Sequence, residues 1–277
     1  MLIGAHVSSA GGIKNSFQNA VNIGANAFQI FLSPPQRYIF RDYSTSEIQE
    51  FLAFKERYKE QIKKMYAHAI YLINLASEKE NIVDSSVNNL IKTLNTSASL
   101  GFHGVVVHLG SAKVSMEEGI KKVIKNLKRI LAETSENSCL YLENSAGAGN
   151  LIGGQIEHLK EILETIQNNR IKICIDTQHS FASGYDIPNK CNEFIDQLIS
   201  YFGDQFDLIH LNDSKTEFNS HKDRHENIGH GKIGITAFEK ILNNKYLKNH
   251  SFILEVPGFD NRGPDAENIK IVNSLIK

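Results

Sequence analysis

Seven side chains that can bind metal stand at the ends of short apolar runs. They are His6, His68, His108, Glu143, Asp176, His210 and Glu255. The run 171–175 leads into Asp176, and His179 follows three residues later in a small-residue loop. A buried carboxylate needs a cation or several hydrogen-bond donors. Taken alone, this stretch fits two interpretations equally well: a metal site, or Asp176 as a helix N-cap with His179 as an ordinary polar residue.

The apolar runs alternate with helical patterns about eight times. The predicted strands are 2–7, 27–32, 64–68, 104–108, 139–143, 171–176, 206–210 and 252–255. Strict alternation predicts parallel strands, and eight units favour an α/β fold of the closed (β/α)₈ TIM-barrel type over an open doubly wound sheet. No Gly-x-Gly-x-x-Gly follows the first strand, which gives a dinucleotide-binding fold little support. No linker divides the chain, so residues 1–277 are predicted to form a single domain.

In such a barrel, all the C-terminal strand ends lie on one face, where barrel active sites occur. A lone histidine or glutamate there is more often structural. Several carboxylates packed together, however, repel one another unless divalent metal removes that cost. The loop segment Asp223-Arg224-His225 could join His179 in a further His/Asp/His set. A mixture of imidazoles and carboxylates suits zinc, or manganese or iron.

Composition narrows the class of protein. The chain has 277 residues, 41% of them hydrophobic, and a formal net charge of −1. Attraction to nucleic acid would therefore have to be local or come from bound metal. The three cysteines, Cys139, Cys174 and Cys191, form no Cys-x-x-Cys motif and fit a reducing compartment. Without a signal-peptide pattern or a membrane-length apolar run, we expect a cytoplasmic or nuclear protein that does not bind membranes.

Motifs along essentially the whole chain resemble the endonuclease IV family, the metal-dependent apurinic/apyrimidinic (AP) endonucleases of base-excision repair. In order, they are GAHVSSAGG (4–12), YLINL (71–75), VHLGS (107–111), LENSAGAG (142–149), CIDTQHSFASGYD (174–186), HLNDSK (210–215), DRHENIG (223–229) and LEVPG (254–258). The family fold is a (β/α)₈ barrel, which agrees with the independent prediction. The resemblance also implies a monomer acting on double-stranded DNA that contains abasic sites.

The resemblance further implies three zinc ions per chain, with manganese or iron at some positions. The three implied ligand groups are His68, His108 and Glu143; Glu143, Asp176, His210 and Glu255; and His179, Asp223 and His225. The implied reaction is hydrolysis of the phosphodiester 5′ to an abasic site, leaving a 3′-hydroxyl and a 5′-deoxyribose phosphate. Glu143 would orient the attacking water, and Glu255 would assist as a base.

Three positions match family residues that enter the DNA helix at the lesion: Arg37, Tyr71 and Leu72. An aromatic ring and a leucine on one loop can fill the gap left by a flipped-out nucleotide. The alternative is that Tyr71 and Leu72 are core residues of a short helix.

Four residues depart from the family pattern: Gln178 replaces a cysteine, Leu109 a proline, Ala69 an aspartate and His230 a glutamate. None is an implied metal ligand, although Ala69 and His230 could alter the hydrogen bonds around the ligands.

Two other functions stay open from the sequence. One is a metal-dependent sugar isomerase or epimerase of the xylose-isomerase type, which also uses strand-end carboxylates and histidines. It would leave His179, the segment 223–225 and the loops around Arg37 and Tyr71 unexplained. The other is a non-catalytic module that binds abasic DNA, against which the intact ligand positions argue.

Overall fold

The computed structural model describes residues 1–277 and confirms the predicted barrel. Its eight parallel strands are β1 (Leu2–His6), β2 (Ala27–Phe31), β3 (Lys64–His68), β4 (Gly104–His108), β5 (Cys139–Glu143), β6 (Ile171–Asp176), β7 (Phe206–His210) and β10 (Ser251–Leu254). They close in the order β1-β10-β7-β6-β5-β4-β3-β2. Two short strands, β8 (Asp213–Ser214) and β9 (His225–Glu226), form a separate antiparallel pair in the loop after β7.

The helices surround the barrel. They are α1 (Asn15–Asn22), α2 (Thr45–Arg57), α3 (Glu80–Leu100), α4 (Met116–Ala132), α5 (Ile156–Ile166), α6 (Thr177–Ala182), α7 (Ile187–Phe202), α8 (Ile235–Leu242) and α9 (Ala266–Leu275), with a 3₁₀ turn at Gly203–Gln205. The residues after Asp176 form the short helix α6, which Asp176 caps, as one of the two interpretations of the sequence allowed; the other interpretation placed them in a loop. Helix α7 begins five residues earlier than predicted, because Asp186 caps it and Pro188 suits its first turn. No helix combines the length and the apolar character needed to cross a bilayer.

Two apolar layers hold the barrel together. The larger layer fills the space between strands and helices. The smaller layer lies inside the barrel and consists of Ala27, Tyr66, Val106, Tyr141, Cys174, Leu208 and Ile253. The side chain of a strand residue shares its face with the residue two positions later. The residue two positions after each member of the inner layer therefore also faces inward, at the C-terminal mouth of the barrel.

Candidate metal centre

A polar layer covers the inner apolar layer at the C-terminal mouth. Each of the eight strands has a glycine or apolar residue that is followed two positions later, within the strand or directly after it, by a polar side chain. The pairs are Gly4 and His6, Ala27 and Gln29, Tyr66 and His68, Val106 and His108, Tyr141 and Glu143, Cys174 and Asp176, Leu208 and His210, and Ile253 and Glu255. The alternation of the strands thus brings imidazoles and carboxylates from distant segments to one place.

The Glu143 carboxylate is at the centre of this layer and is fully buried. Its Oε2 atom lies 3.1 Å from Nε2 of His68 and 3.3 Å from Nε2 of His108. Its Oε1 atom lies 2.9 Å from Nδ1 of His210, which is also 3.3 Å from Oε2 of Glu255. Glu143 therefore faces two groups of donors, one with each carboxylate oxygen.

Asp176 both caps a helix and faces the donor cluster. Its Oδ1 accepts a hydrogen bond from the backbone N–H of His179 at 2.9 Å, as an N-cap does. Its Oδ2 accepts from Asn212 Nδ2 at 2.7 Å and lies 3.5 Å from Nε2 of His225. The two interpretations of the sequence thus describe different oxygens of one carboxylate.

The remaining predicted ligands come together beside Asp176. Asp223 places Oδ2 3.3 Å from Nε2 of His179, and Oδ1 3.3 Å from Nε2 of His225. Its side chain is 59% exposed, whereas that of His179 is buried. Potential ligand atoms within 4.8 Å of one another form three groups: His68, His108 and Glu143; Glu143, Asp176, His210 and Glu255; and Asp176, His179 and His225. The third group includes Asp176 where the sequence indicated Asp223, although Asp223 contacts both of its histidines.

Four of the five histidines at these positions have one ring nitrogen against a protein oxygen, and the other faces the cluster. The outward contacts are His68 Nδ1 to Ala69 O at 2.6 Å, His179 Nδ1 to Asn144 O at 3.1 Å, His210 Nε2 to Gln29 Oε1 at 3.0 Å and His225 Nδ1 to Glu255 O at 3.0 Å. Such contacts fix the tautomer and aim the free lone pair inward. Nε2 of His225 is buried and makes no hydrogen bond, although Asp223 Oδ1 and Asp176 Oδ2 lie 3.3 Å and 3.5 Å away. Oriented imidazoles that face four carboxylates fit divalent cations of the zinc type.

The pKa values indicate that the carboxylates of the cluster are anionic and attract positive charge. Burial alone would raise the pKa of Glu143, but His108 and His210 hold it well below the usual range. Burial likewise opposes protonation of His179, yet Asp176 and Asp223 raise its pKa to about 10. The pKa values of His68 and His210 are also raised against burial by neighbouring carboxylates, whereas burial lowers that of His108. In the metal-free protein, protons on His68, His179 and His210 therefore offset the charge of the carboxylates.

Three buried amides support the predicted ligands, and none was predicted from the sequence. Gln29 donates to Glu255 Oε1 at 2.6 Å and accepts from His210. Asn144 Oδ1 accepts from the backbone N–H of Asp176 at 2.7 Å, and Asn212 Oδ1 accepts from that of Glu255 at 2.7 Å. Only Gln29 had a sequence signal, as the one polar residue within the apolar run of β2.

The predicted DNA-contacting residues lie on exposed loops beside the cluster. Tyr71 is 61% exposed and Leu72 is 39% exposed, within a turn, so neither is a core residue of a short helix. Tyr71 packs edge-on against Phe31 at 5.2 Å and lines the cleft of about 430 Å³ that opens onto the cluster. Its backbone N–H donates to Pro35 O at 2.9 Å, which joins its loop to the exposed segment carrying Arg37.

The four departures from the family pattern leave the ligands in place. The contact that orients His68 uses the backbone oxygen of Ala69, so it does not need a carboxylate at this position. Leu109 is buried, and His230 packs edge-on against Phe259 at 5.1 Å. Gln178 is buried in α6.

The chain matches known proteins over nearly its whole length. The family described as "Xylose isomerase-like TIM barrel" matches residues 17–274. A "Probable endonuclease 4" of Halothermothrix orenii is 36% identical, over 98% of this chain and 99% of that protein. The "Apurinic-apyrimidinic endonuclease 1" of Saccharomyces cerevisiae is 34% identical, over 98% of this chain and 75% of that protein.

Among solved structures, endonuclease IV from Thermus thermophilus superposes with a TM-score of 0.87. It is 32% identical, and the match covers 99% of this chain and 98% of that chain. The shared fold, the near-complete coverage and the sequence identity all support the same family assignment. The chain therefore belongs to the endonuclease IV family of xylose isomerase-like TIM barrels.

Proposed function

We propose that this chain is a metal-dependent AP endonuclease that acts as a monomer, with residues 1–277 as a single domain. It hydrolyses the phosphodiester 5′ to an abasic site in double-stranded DNA and leaves a 3′-hydroxyl and a 5′-deoxyribose phosphate. The observation that carries the proposal is the continuity of the three donor groups, in which Glu143 joins the first two and Asp176 joins the last two. Relatives named as endonucleases over nearly the full chain support it.

The three groups would hold three zinc ions, or manganese or iron at some positions. His68, His108 and Glu143 would hold one ion, and Glu143, Asp176, His210 and Glu255 a second. His179, Asp223 and His225 would hold the third, and Asp176, a ligand of the second, also lies beside both of these histidines. When bound, such ions lower the pKa of water and neutralise charge that develops on a phosphoryl group.

The two glutamates have different surroundings and would have different roles. Glu143 is fully buried and touches three histidines, which suits it to orient the attacking water rather than to exchange protons with solvent. The Glu255 side chain is 17% exposed and lines the cleft. Its Oε1 atom accepts a hydrogen bond from Gln29 and Oε2 faces the cluster. Its opening to the cleft would let Glu255 assist as a base.

DNA recognition would depend on the loops at the mouth. Arg37 would contact a phosphate, and Tyr71 and Leu72 would fill the space at the lesion. A formal net charge of −1 gives little general attraction to DNA. Binding would therefore draw on these local contacts and on the bound cations.

The alternatives explain fewer of the observations. A sugar isomerase would use the first two donor groups but has no role for His179, Asp223 and His225, nor for an exposed Tyr71 beside the cleft. A non-catalytic DNA-binding module would not need oriented imidazoles around a buried Glu143.

The test is incubation with a labelled duplex that carries one tetrahydrofuran abasic analogue, which cannot undergo β-elimination. We expect a single nick 5′ to the analogue, and extension of the new 3′ end by a DNA polymerase shows the hydroxyl. Chelator should abolish nicking and added zinc or manganese should restore it. An intact duplex under all metal conditions, or a 3′ end that cannot be extended, would contradict the proposal.

A further inference from the structure

Gln178 lies in α6 between two proposed ligands, Asp176 and His179, but does not contact the donor cluster itself. Its side chain is fully buried. The Nε2 atom donates to the backbone oxygen of Lys222 at 2.9 Å and to Ser214 Oγ at 3.3 Å. Gln178 thus connects a rigid element of the barrel to the long loop after β7.

The carbonyl that Gln178 binds belongs to the residue directly before Asp223. Asp223 is the most exposed proposed ligand and comes from this loop rather than from a barrel strand. Close to it, Lys222 O also accepts from Thr216 Oγ1 at 3.2 Å, and the N–H of Lys215 donates to Arg224 O at 3.0 Å. Both of these contacts lie within the loop. Two backbone hydrogen bonds also join the loop to α6, from Asn219 N–H to Phe181 O at 3.1 Å and from His221 N–H to Ala182 O at 2.9 Å. Apart from the contact of Asp223 with His179, the bond from Gln178 is the one from α6 that reaches the residue next to Asp223.

The other amide atom of Gln178 has an unfavourable environment. Oε1 is buried and has no hydrogen-bond partner. An unpaired buried oxygen carries a desolvation cost that an apolar side chain of similar size would avoid. The amide is thus not the best choice for stability alone, and its N–H contact with the loop offers a reason for its presence.

We infer that Gln178 is a positioning residue that holds Asp223 against His179 and His225, and thereby sets the affinity of the third donor group for a divalent cation. This inference rests on the proposed three-metal function. Supports of this kind typically change metal affinity by about 10- to 100-fold when they are removed. The first two groups lie at the ends of barrel strands and make no contact with Gln178, so they should not depend on it.

The test is a zinc titration of metal-free protein against a competing chromophoric chelator. We expect three zinc ions for the wild-type protein. In Gln178→Leu, which removes the N–H donor at similar size, two ions should bind as before and the third about 10- to 100-fold more weakly. Gln61→Leu, on the exposed surface, is the matched control and should bind three ions normally.

A second variant and a double-mutant cycle separate positioning from general packing. Gln178→Glu keeps the size, places an acceptor against the Lys222 oxygen, and should weaken the third ion as well. In an Asp223→Ala background, Gln178→Leu should have no further effect on zinc binding, because Asp223 transmits the contact. Thermal unfolding of the metal-free variants shows whether each is folded.

Several results would overturn the inference: an unchanged third ion in both folded variants, an equal loss in the Asp223→Ala background, or a wild-type protein with only two zinc sites. The titration uses no DNA and so judges Gln178 separately from the proposed function. A protein that binds three ions but never nicks abasic DNA would refute only the endonuclease proposal.

Discussion

Gln29 donates a hydrogen bond of 2.6 Å to Oε1 of Glu255, although the two residues are 226 positions apart in the chain. Its own oxygen lies 3.0 Å from Nε2 of His210. One amide from β2, a strand that contributes no proposed ligand, thus fixes the orientation of two proposed ligands from the opposite end of the sequence.

Replacing Gln29 by leucine should weaken the second donor group. Without the amide, His210 can rotate or change tautomer and Glu255 loses a donor, so zinc affinity should fall by about 10- to 100-fold. Competition titration of metal-free protein measures this, with Gln61→Leu as the exposed control. Zinc binding by Gln29→Leu equal to that of the control would show that the amide does not orient these ligands.

The variant Glu143→Gln should lose nicking and keep much of its DNA binding. An uncharged amide cannot present an anionic oxygen to both of the donor groups that Glu143 joins. The turnover rate should therefore fall by about 10³-fold or more. Single-turnover nicking and a gel-shift assay measure the two properties. Glu60→Gln, an exposed substitution on the outside, is the control. Nicking by Glu143→Gln at the rate of the control would exclude the bridging role.

Tyr71→Ala should reduce discrimination between abasic and intact duplex. Stacking of one aromatic ring on a base is worth about 1–3 kcal/mol, so binding to the abasic duplex should fall by about five- to 150-fold while binding to intact duplex changes little. Tyr246→Ala is the matched control: Tyr246 is 50% exposed and lies between α8 and β10, at the opposite end of the barrel. If the two variants discriminate equally well, Tyr71 has no role at the lesion.

His179 should make the stability of the metal-free protein depend on pH. Burial lowers its pKa, but Asp176 and Asp223 outweigh this and raise it to about 10, against 6.5 in the unfolded chain. Its contribution is therefore complete below pH 6.5 and is lost as the pH rises through about 10. The difference in Tm between wild-type and His179→Asn protein, both metal-free, should shrink from pH 6 to pH 10. A difference that stays constant or grows would contradict the raised pKa.

Asp213 should be needed for the loop that follows β9. Its buried carboxylate accepts hydrogen bonds from the backbone N–H groups of Gly229, Gly231 and Ile233 at 2.9–3.0 Å. In Asp213→Asn, an amide N–H₂ group must face at least one of these donors, at a cost of about 1–3 kcal/mol. Chemical denaturation measures the loss, and Asp204→Asn, at an exposed position, is the control. Equal stability of the two variants would show that the loop does not depend on this carboxylate.

The sequence predicted the barrel and the gathering of donors because both follow from periodicity. Eight apolar runs predict eight strands, and a polar residue at a strand end reaches the mouth when it lies two positions after an inward-facing residue. The cluster around Glu143 could therefore be anticipated. The two roles of Asp176 could not be separated, since the pattern does not show which oxygen faces which partner.

The supporting contacts depend on tertiary structure that local patterns do not encode. Gln29 reaches residues 181 and 226 positions away, and Asn212 bridges Asp176 and Glu255. Helix α6 was only one of two interpretations of the sequence because it is a single short segment without clear periodicity, and the Asp176 cap and contacts with β8 stabilise it. The exposure of Tyr71 likewise depends on how its loop packs against the segment around Pro35.

The number of metal ions held by the freshly purified protein tests the central claim most directly. Elemental analysis together with anomalous scattering from crystals should find three ions per chain. One should lie at His68, His108 and Glu143, one at Glu143, Asp176, His210 and Glu255, and one at His179, Asp223 and His225. One or two ions at the first two groups, with the third empty even after zinc is added in excess, would contradict the account and favour a sugar isomerase.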